Sequence, residues 1–133
     1  MVVTEEKTQT PGSASTAWGL LAAVDLAGCT RSRLADGDCI RGFVGDVIAA
    51  IGMRAHGPTH LERFGLGELE GWSALQFIET SSITVHADEV YCRCFVDIFS
   101  CKEFDPRIAA GVACQWFGGT ARITMVRRGG AHG

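Results

Sequence analysis

The run Tyr91 to Ser100 constrains this chain most. Its residues alternate, with Phe95, Asp97 and Phe99 on one face and Val96 and Ile98 on the other. A period of two marks a β-strand. A strand needs partners, and the chain supplies candidates. Trp18 to Gly28 reads as a buried first strand. Thr59 to Phe64, Trp72 to Glu79, Ile83 to His86 and Thr120 to Val126 read as others, and the strands flanking Ser81 could equally be one strand interrupted there. Two helices are interleaved. Asp36 or Asp38 can cap the first, which runs to about Gly52 with Ile40, Phe43, Val44, Val47, Ile48 and Ile51 at helical spacing. Gly42 and Gly45 weaken that helix. Asp105-Pro106 opens the second, which stops at Gly118-Gly119. The order β-α-β-β-β-β-α-β predicts an α/β fold: a two-layer α/β sandwich, with a mostly antiparallel sheet and two helices on one face. Apolar surface left on the other face would favour a homodimer.

A length of 133 residues fits one domain with one core. The expected organisation is a disordered N-terminal tail over 1–16, a folded domain over 17–128 and a C-terminal tail over 129–133. Net charge is −3 with no basic block, which argues against nucleic acid as a partner. The Ser/Thr-rich start has neither a positive region nor an apolar core and does not read as a secretory signal. The longest apolar run, Ala17 to Ala27, is broken by Asp25 and is too short to span a bilayer. No membrane partner is expected, and the expected location is cytoplasmic. Six cysteines lack a C-x-x-C spacing, so Cys29, Cys39, Cys92, Cys94 and Cys114 read as structural thiols, with no metal site. His56, His60 and His132 read as surface residues. Trp18, Trp72 and Trp116 read as core or interface.

The chemistry-bearing segment is Thr80-Ser81-Ser82-Ile83-Thr84-Val85-His86, followed fifteen residues later by Cys101. A serine hydroxyl can attack the carbonyl of the residue before it and convert the amide to an ester. β-Elimination then cleaves the chain, and hydrolysis leaves a pyruvoyl group. Such a ketone links to a substrate amine as a Schiff base and drains electrons from the adjacent carbon, as pyridoxal phosphate does. An imidazole is a candidate base, and a thiol a candidate proton donor. In a regular strand, however, Ser82, Thr84 and His86 share a face and Ser81 does not, so a bulge or turn at Ser81 is expected.

This segment, with Val96-Asp97-Ile98-Phe99-Ser100-Cys101 and Asp105-Pro106, resembles the prokaryotic-type, pyruvoyl-dependent S-adenosylmethionine decarboxylase family. That family carries Glu-Ser-His-Ile-x-Ile-His, then V-D-V-F-T-C-G, then D-P, at the same spacings. Gly71-Trp72-Ser73 and Gly19 to Cys29 match further upstream motifs, and Asp25 in the second is expected to bind substrate. The resemblance spans roughly Gly19 to Arg128 and identifies the chain as a divergent member. It implies catalytic roles for Ser81, His86 and Cys101. It also implies processing at Thr80–Ser81 assisted by Ser73 and His86, and a pyruvoyl group made from Ser81. The expected assembly is a homodimer of cleaved protomers acting on a small-molecule substrate. The reaction would be decarboxylation of S-adenosylmethionine for spermidine biosynthesis.

The sequence departs from the family at several points. Thr80 replaces the glutamate before the serine, and Ser82 and Leu21 replace histidines. After His86 the family's T-W-P-E becomes Ala87-Asp88-Glu89-Val90, which puts Val90 in the place of the substrate-holding glutamate, and Glu89 or Asp88 could substitute for it only if the loop shifts. Phe64 stands in for a family aromatic that stacks on the substrate. Two alternatives follow: the same chemistry on arginine or ornithine, or a non-cleaving homologue acting as a binding or regulatory subunit.

Overall fold

The computed structural model describes residues 3–8 and 17–129. Its elements are β1 (Val3–Thr8), β2 (Ala17–Ala27), α1 (Arg31–Leu34), α2 (Gly37–Ala50), β3 (Ala55–Phe64), β4 (Gly71–Ile78), β5 (Ser81–Asp88), β6 (Arg93–Ser100), α3 (Pro106–Phe117) and β7 (Thr120–Gly129). The seven strands form one sheet in the order β1-β7-β2-β6-β5-β4-β3. All neighbours are antiparallel except β1, which lies parallel to β7.

The alternation in β6 organises the sheet. Val96 sits between Val24 of β2 and Val85 of β5, and Ile98 between Ala22 and Ile83. These residues are buried and form one apolar layer. The helices close over it with Phe43, Val44 and Val47 of α2 and Ala109, Ala110, Ala113 and Phe117 of α3. Phe43 and Phe117 meet at 5.1 Å between ring centroids, tilted by 59°. Gly42, which counted against a helix in the sequence, is required by this packing. A Cβ there would stand 2.4 Å from the Trp116 ring. Asp36 caps α2 by accepting from the N–H groups of Asp38 and Cys39 at 2.9 and 3.4 Å. Asp105 caps α3 through the Arg107 N–H at 2.9 Å, with Pro106 at the first helical position.

Among the described residues no helix covers the opposite sheet face. It presents Ser73, Phe77, Ser82, His86, Phe95 and Phe99, and Trp18 stacks on Phe99 at 5.6 Å with more than half of its surface exposed.

The two-layer α/β sandwich stands as expected, with four differences in detail. Residues 3–8 fall in the expected disordered tail but form β1, paired along its whole length with Ala121 to Val126; residues 9–16 lie outside the described residues. A short helix, α1, adds to the two that the periodicity gave. β3 begins at Ala55 and passes through Gly57 and Pro58, with its register shifting between His56 and His60. An edge strand tolerates proline because its outer N–H groups have no partner strand. β7 continues to Gly129, the first residue of the expected C-terminal tail; residues 130–133 lie outside the described ones.

Candidate active site

β4 and β5 are separate strands. Their last pair is Ile78 with Ser81, so Glu79 and Thr80 alone make the turn. Thr80 lies in the left-handed region at φ 57°, one of only two non-glycine residues with positive φ among those described. Two-residue hairpin loops favour positive φ at their first central residue, and the left-handed region disfavours β-branched side chains. This turn breaks both preferences, so the residue before Ser81 is strained, at a cost of roughly 1–2 kcal/mol.

Ser81 begins a regular β5. It points toward the helices and is 8% exposed. Its Oγ accepts a hydrogen bond from the Cys101 N–H at 3.0 Å. Cys101 follows β6, which lies beside β5, and its Sγ stands 2.8 Å from Thr80 Oγ1. The same Thr80 hydroxyl lies 2.7 Å from the Glu79 carbonyl oxygen. The Thr80 hydroxyl holds the Cys101 thiol below its ordinary pKa, against a smaller upward push from burial; Ser81 and the Lys102 ammonium also lower it. Thr80, Ser81 and Cys101 are therefore brought together. A hollow of about 660 Å³ opens beside Thr80 and Ser81, walled by Phe77 and Phe99 and reached by His56.

His86 is elsewhere. It lies five residues along β5 on the opposite face, about 16 Å from Ser81 at the rise of a strand. Of the bulge or turn expected at Ser81, the structure has the turn, Glu79-Thr80, but β5 then keeps an unbroken register with β4 and β6, so His86 is not brought round to Ser81. Ser73 is the direct cross-strand partner of His86, and its Oγ is 2.9 Å from His86 Nδ1. This pair lines a second hollow of about 460 Å³. The two hollows share no lining residue.

The expected substrate-binding residues divide. Phe64 walls the second hollow. Glu89 lines neither hollow; it is buried in a two-pronged ion pair with Arg63, at 2.6 and 3.3 Å. Asp25 also lines neither, lying exposed on β2 between Phe95 and Arg122 of the adjoining strands. The second hollow instead holds Glu68, Asp88, Tyr91, Arg93 and Phe95, of which only Asp88 was singled out from the sequence as a substitute for the substrate-holding glutamate. Arg93 pairs with Asp88 at 2.6 Å and lies over the Tyr91 and Phe95 rings at 5.1 and 5.7 Å. Strand parity was the available signal, because Arg93 and Phe95 share a face in β6 and Phe95 opposes His86. His56, read as a surface residue, is exposed but reaches the Ser81 hollow. All six cysteines are free thiols. Burial pushes Cys29 up to about 11, with Cys114 and Cys92 adding to it. Among the described residues no group of three or more His, Cys, Asp or Glu could hold a metal ion, and no helix is long and apolar enough to cross a membrane.

A seven-stranded α/β sandwich of this kind is the fold of the adenosylmethionine decarboxylases. The crystal structure of the enzyme from Aquifex aeolicus VF5 aligns with a TM-score of 0.72 at 17% identity, over 86% of this chain and 92% of that one. The S-adenosylmethionine decarboxylase family matches residues 21–129, and the chain belongs to that family. No curated protein sequence matches it.

Proposed function

We propose that the chain cleaves itself between Thr80 and Ser81 and becomes a pyruvoyl-dependent decarboxylase of S-adenosylmethionine, supplying spermidine biosynthesis in the cytoplasm. The observation that carries this reading is the position of Cys101, whose N–H holds Ser81 Oγ while its thiol meets the Thr80 hydroxyl across the bond to be cut. In the first step Ser81 Oγ bonds to the Thr80 carbonyl carbon, the C–N bond breaks, and the hydroxyl proton passes to the released amine. Elimination then frees the Thr80 carboxylate and leaves dehydroalanine at position 81. Water enters and ammonia leaves as the ketone forms. The residues present fit that product. The Ser81 side chain is held at a corner open to a hollow, and the side chain of the preceding residue is not consumed. A pyruvoyl group would supply an electron sink for the loss of carbon dioxide. Cys101 would deliver a proton to the substrate carbon, and the apolar walls of Phe77 and Phe99 would limit water.

Turn strain cannot drive cleavage by itself. Releasing 1–2 kcal/mol in the transition state accelerates a reaction by about tenfold, whereas holding the nucleophile near its target can contribute far more. A base is still required. The Ser73–His86 pair is the candidate, and its distance from Ser81 within one chain points to a homodimer that sets the pair of one copy against Ser81 of the other. The uncovered sheet face with Trp18, Phe77 and Phe99 suits such an assembly.

Denaturing mass spectrometry tests the reading. Cleavage yields fragments spanning 1–80 and 81–133, with a blocked N-terminus on the second. An intact 14.2 kDa chain would rule it out. A second reading, the same chemistry on another amino acid, is favoured by Glu89, whose carboxylate is already committed to Arg63. A panel assay for released carbon dioxide separates the two.

A further inference from the structure

The acyl shift uses the carbonyl of Thr80 and makes no demand on its side chain. That side chain is nonetheless engaged on two sides, with Oγ1 at 2.7 Å from the Glu79 carbonyl oxygen and 2.8 Å from Cys101 Sγ. A threonine hydroxyl has one proton and two lone pairs, so it cannot donate to both neighbours at once. When Cys101 is a thiol, its S–H donates to Oγ1 while the Thr80 O–H donates to the Glu79 carbonyl. When Cys101 is a thiolate, the sulfur can only accept, and the Thr80 O–H turns to donate to it. A single rotation of one hydroxyl therefore satisfies the sulfur in both protonation states.

We propose that Thr80 is the positioning residue for Cys101, its hydroxyl fixing the thiol and following the loss of its proton as the substrate carbon is protonated. This rests on the function proposed above. In the step, the S–H bond breaks, its hydrogen forms the new C–H bond where carbon dioxide departed, and the electron pair stays on sulfur. The Thr80 hydroxyl turns from the Glu79 carbonyl to the thiolate, and water later returns a proton to sulfur. Cleavage does not remove this device, because the chain breaks at the Thr80 carbonyl carbon and leaves the side chain on the new terminus. The Thr80 hydroxyl is also the largest influence holding the thiol below its ordinary value. The other charged or titratable groups around it are Lys102, next in the chain, Glu79 and His56 at the hollow, and, once the chain is cut, the new Thr80 carboxylate.

Three substitutions separate the hydroxyl from the backbone. Thr80→Val removes the hydroxyl at nearly constant shape, Thr80→Gly removes it while suiting the left-handed backbone, and Thr80→Ser keeps it. Iodoacetamide labelling of Cys101 is followed by peptide mass spectrometry from about pH 5 to 9, across the ordinary thiol range. The valine and glycine variants should label several-fold more slowly at neutral pH, with the midpoint of the profile displaced upward. The serine variant should track the parent. In turnover, kcat should fall with KM unchanged in the first two and recover in the third. A parental labelling profile in both hydroxyl-free variants would overturn the proposal. Denaturing mass spectrometry on the same samples reports cleavage separately. An intact parent chain removes the proposed function, and the labelling profile of that intact chain still supports or overturns the Thr80–Cys101 pairing.

Discussion

At Ser81 and Cys101 the chemistry depends on which atom each residue contributes. In the proposed cleavage Ser81 supplies the attacking oxygen, so Ser81→Ala should leave one intact chain with no decarboxylation, read by denaturing mass spectrometry and carbon dioxide release. Continued cleavage would mean that another hydroxyl, such as Ser82, is the nucleophile. Cys101 is different, because its backbone N–H holds Ser81 Oγ whatever side chain it carries. Cys101→Ala should therefore still cleave, at least in part, while turnover falls by about a hundredfold or more, the ordinary contribution of a placed proton donor. Full turnover in that variant would remove the thiol from the mechanism. The sequence placed Ser81, Thr80 and Cys101 in one region, but it left open whether Ser81 began a strand or interrupted one. The turn Glu79-Thr80 carries neither Gly nor Asn, the residues that announce a tight hairpin, so the strain that defines the corner left no compositional trace.

Among the elements, α3 was the most legible, since Asp105-Pro106 names its cap and first residue and the apolar spacing fixes its face. Accepting the Arg107 N–H holds the Asp105 carboxyl below its usual range, with the Arg107 guanidinium assisting. A carboxylate whose folded value is lowered stabilises the fold above its unfolded value and loses that contribution as pH falls through the folded one. Asp105→Ala should accordingly lower unfolding free energy by about 1 kcal/mol at neutral pH, a loss that fades below about pH 4. Thermal melts at the two pH values check it, and a pH-independent difference would show that the cap is not the cause. β3 and β1 were less legible for physical reasons. Pro58 reads as a strand breaker, although an outer strand can absorb it, and β1 is a polar stretch that gains its conformation from pairing with β7. The Glu89 pairing was invisible for a third reason: Arg63 lies on β3, brought near only by the sheet. Arg63→Met should lower the melting temperature more than Glu89→Gln, because the first leaves a buried carboxylate unpaired and the second leaves a neutral amide. Equal losses would mean that the pair contributes packing alone.

For the whole molecule, the decisive geometry is the separation of the two half-sites. Ser81 faces the helix layer at one end of β5, and His86 faces the uncovered side toward the other end. No side-chain rotation brings these groups together while the β5 register holds, since each residue advances the strand by about 3.3 Å and alternates its face. A twofold dimer resolves this if one copy contributes Ser81, Thr80 and Cys101 and the other contributes Ser73 and His86. The arrangement predicts complementation. Neither Ser81→Ala nor His86→Ala should cleave efficiently alone. Co-expressed with distinguishable tags, they should form mixed dimers with one whole composite site, made of Ser81 from the His86→Ala chain and His86 from the Ser81→Ala chain. With random pairing, about half of the His86→Ala chains should then be cut, and none of the Ser81→Ala chains. Intact-mass analysis of each tagged chain reads this directly. Mixed dimers that pull down together yet show no cleavage would mean that His86 does not serve Ser81 across the interface.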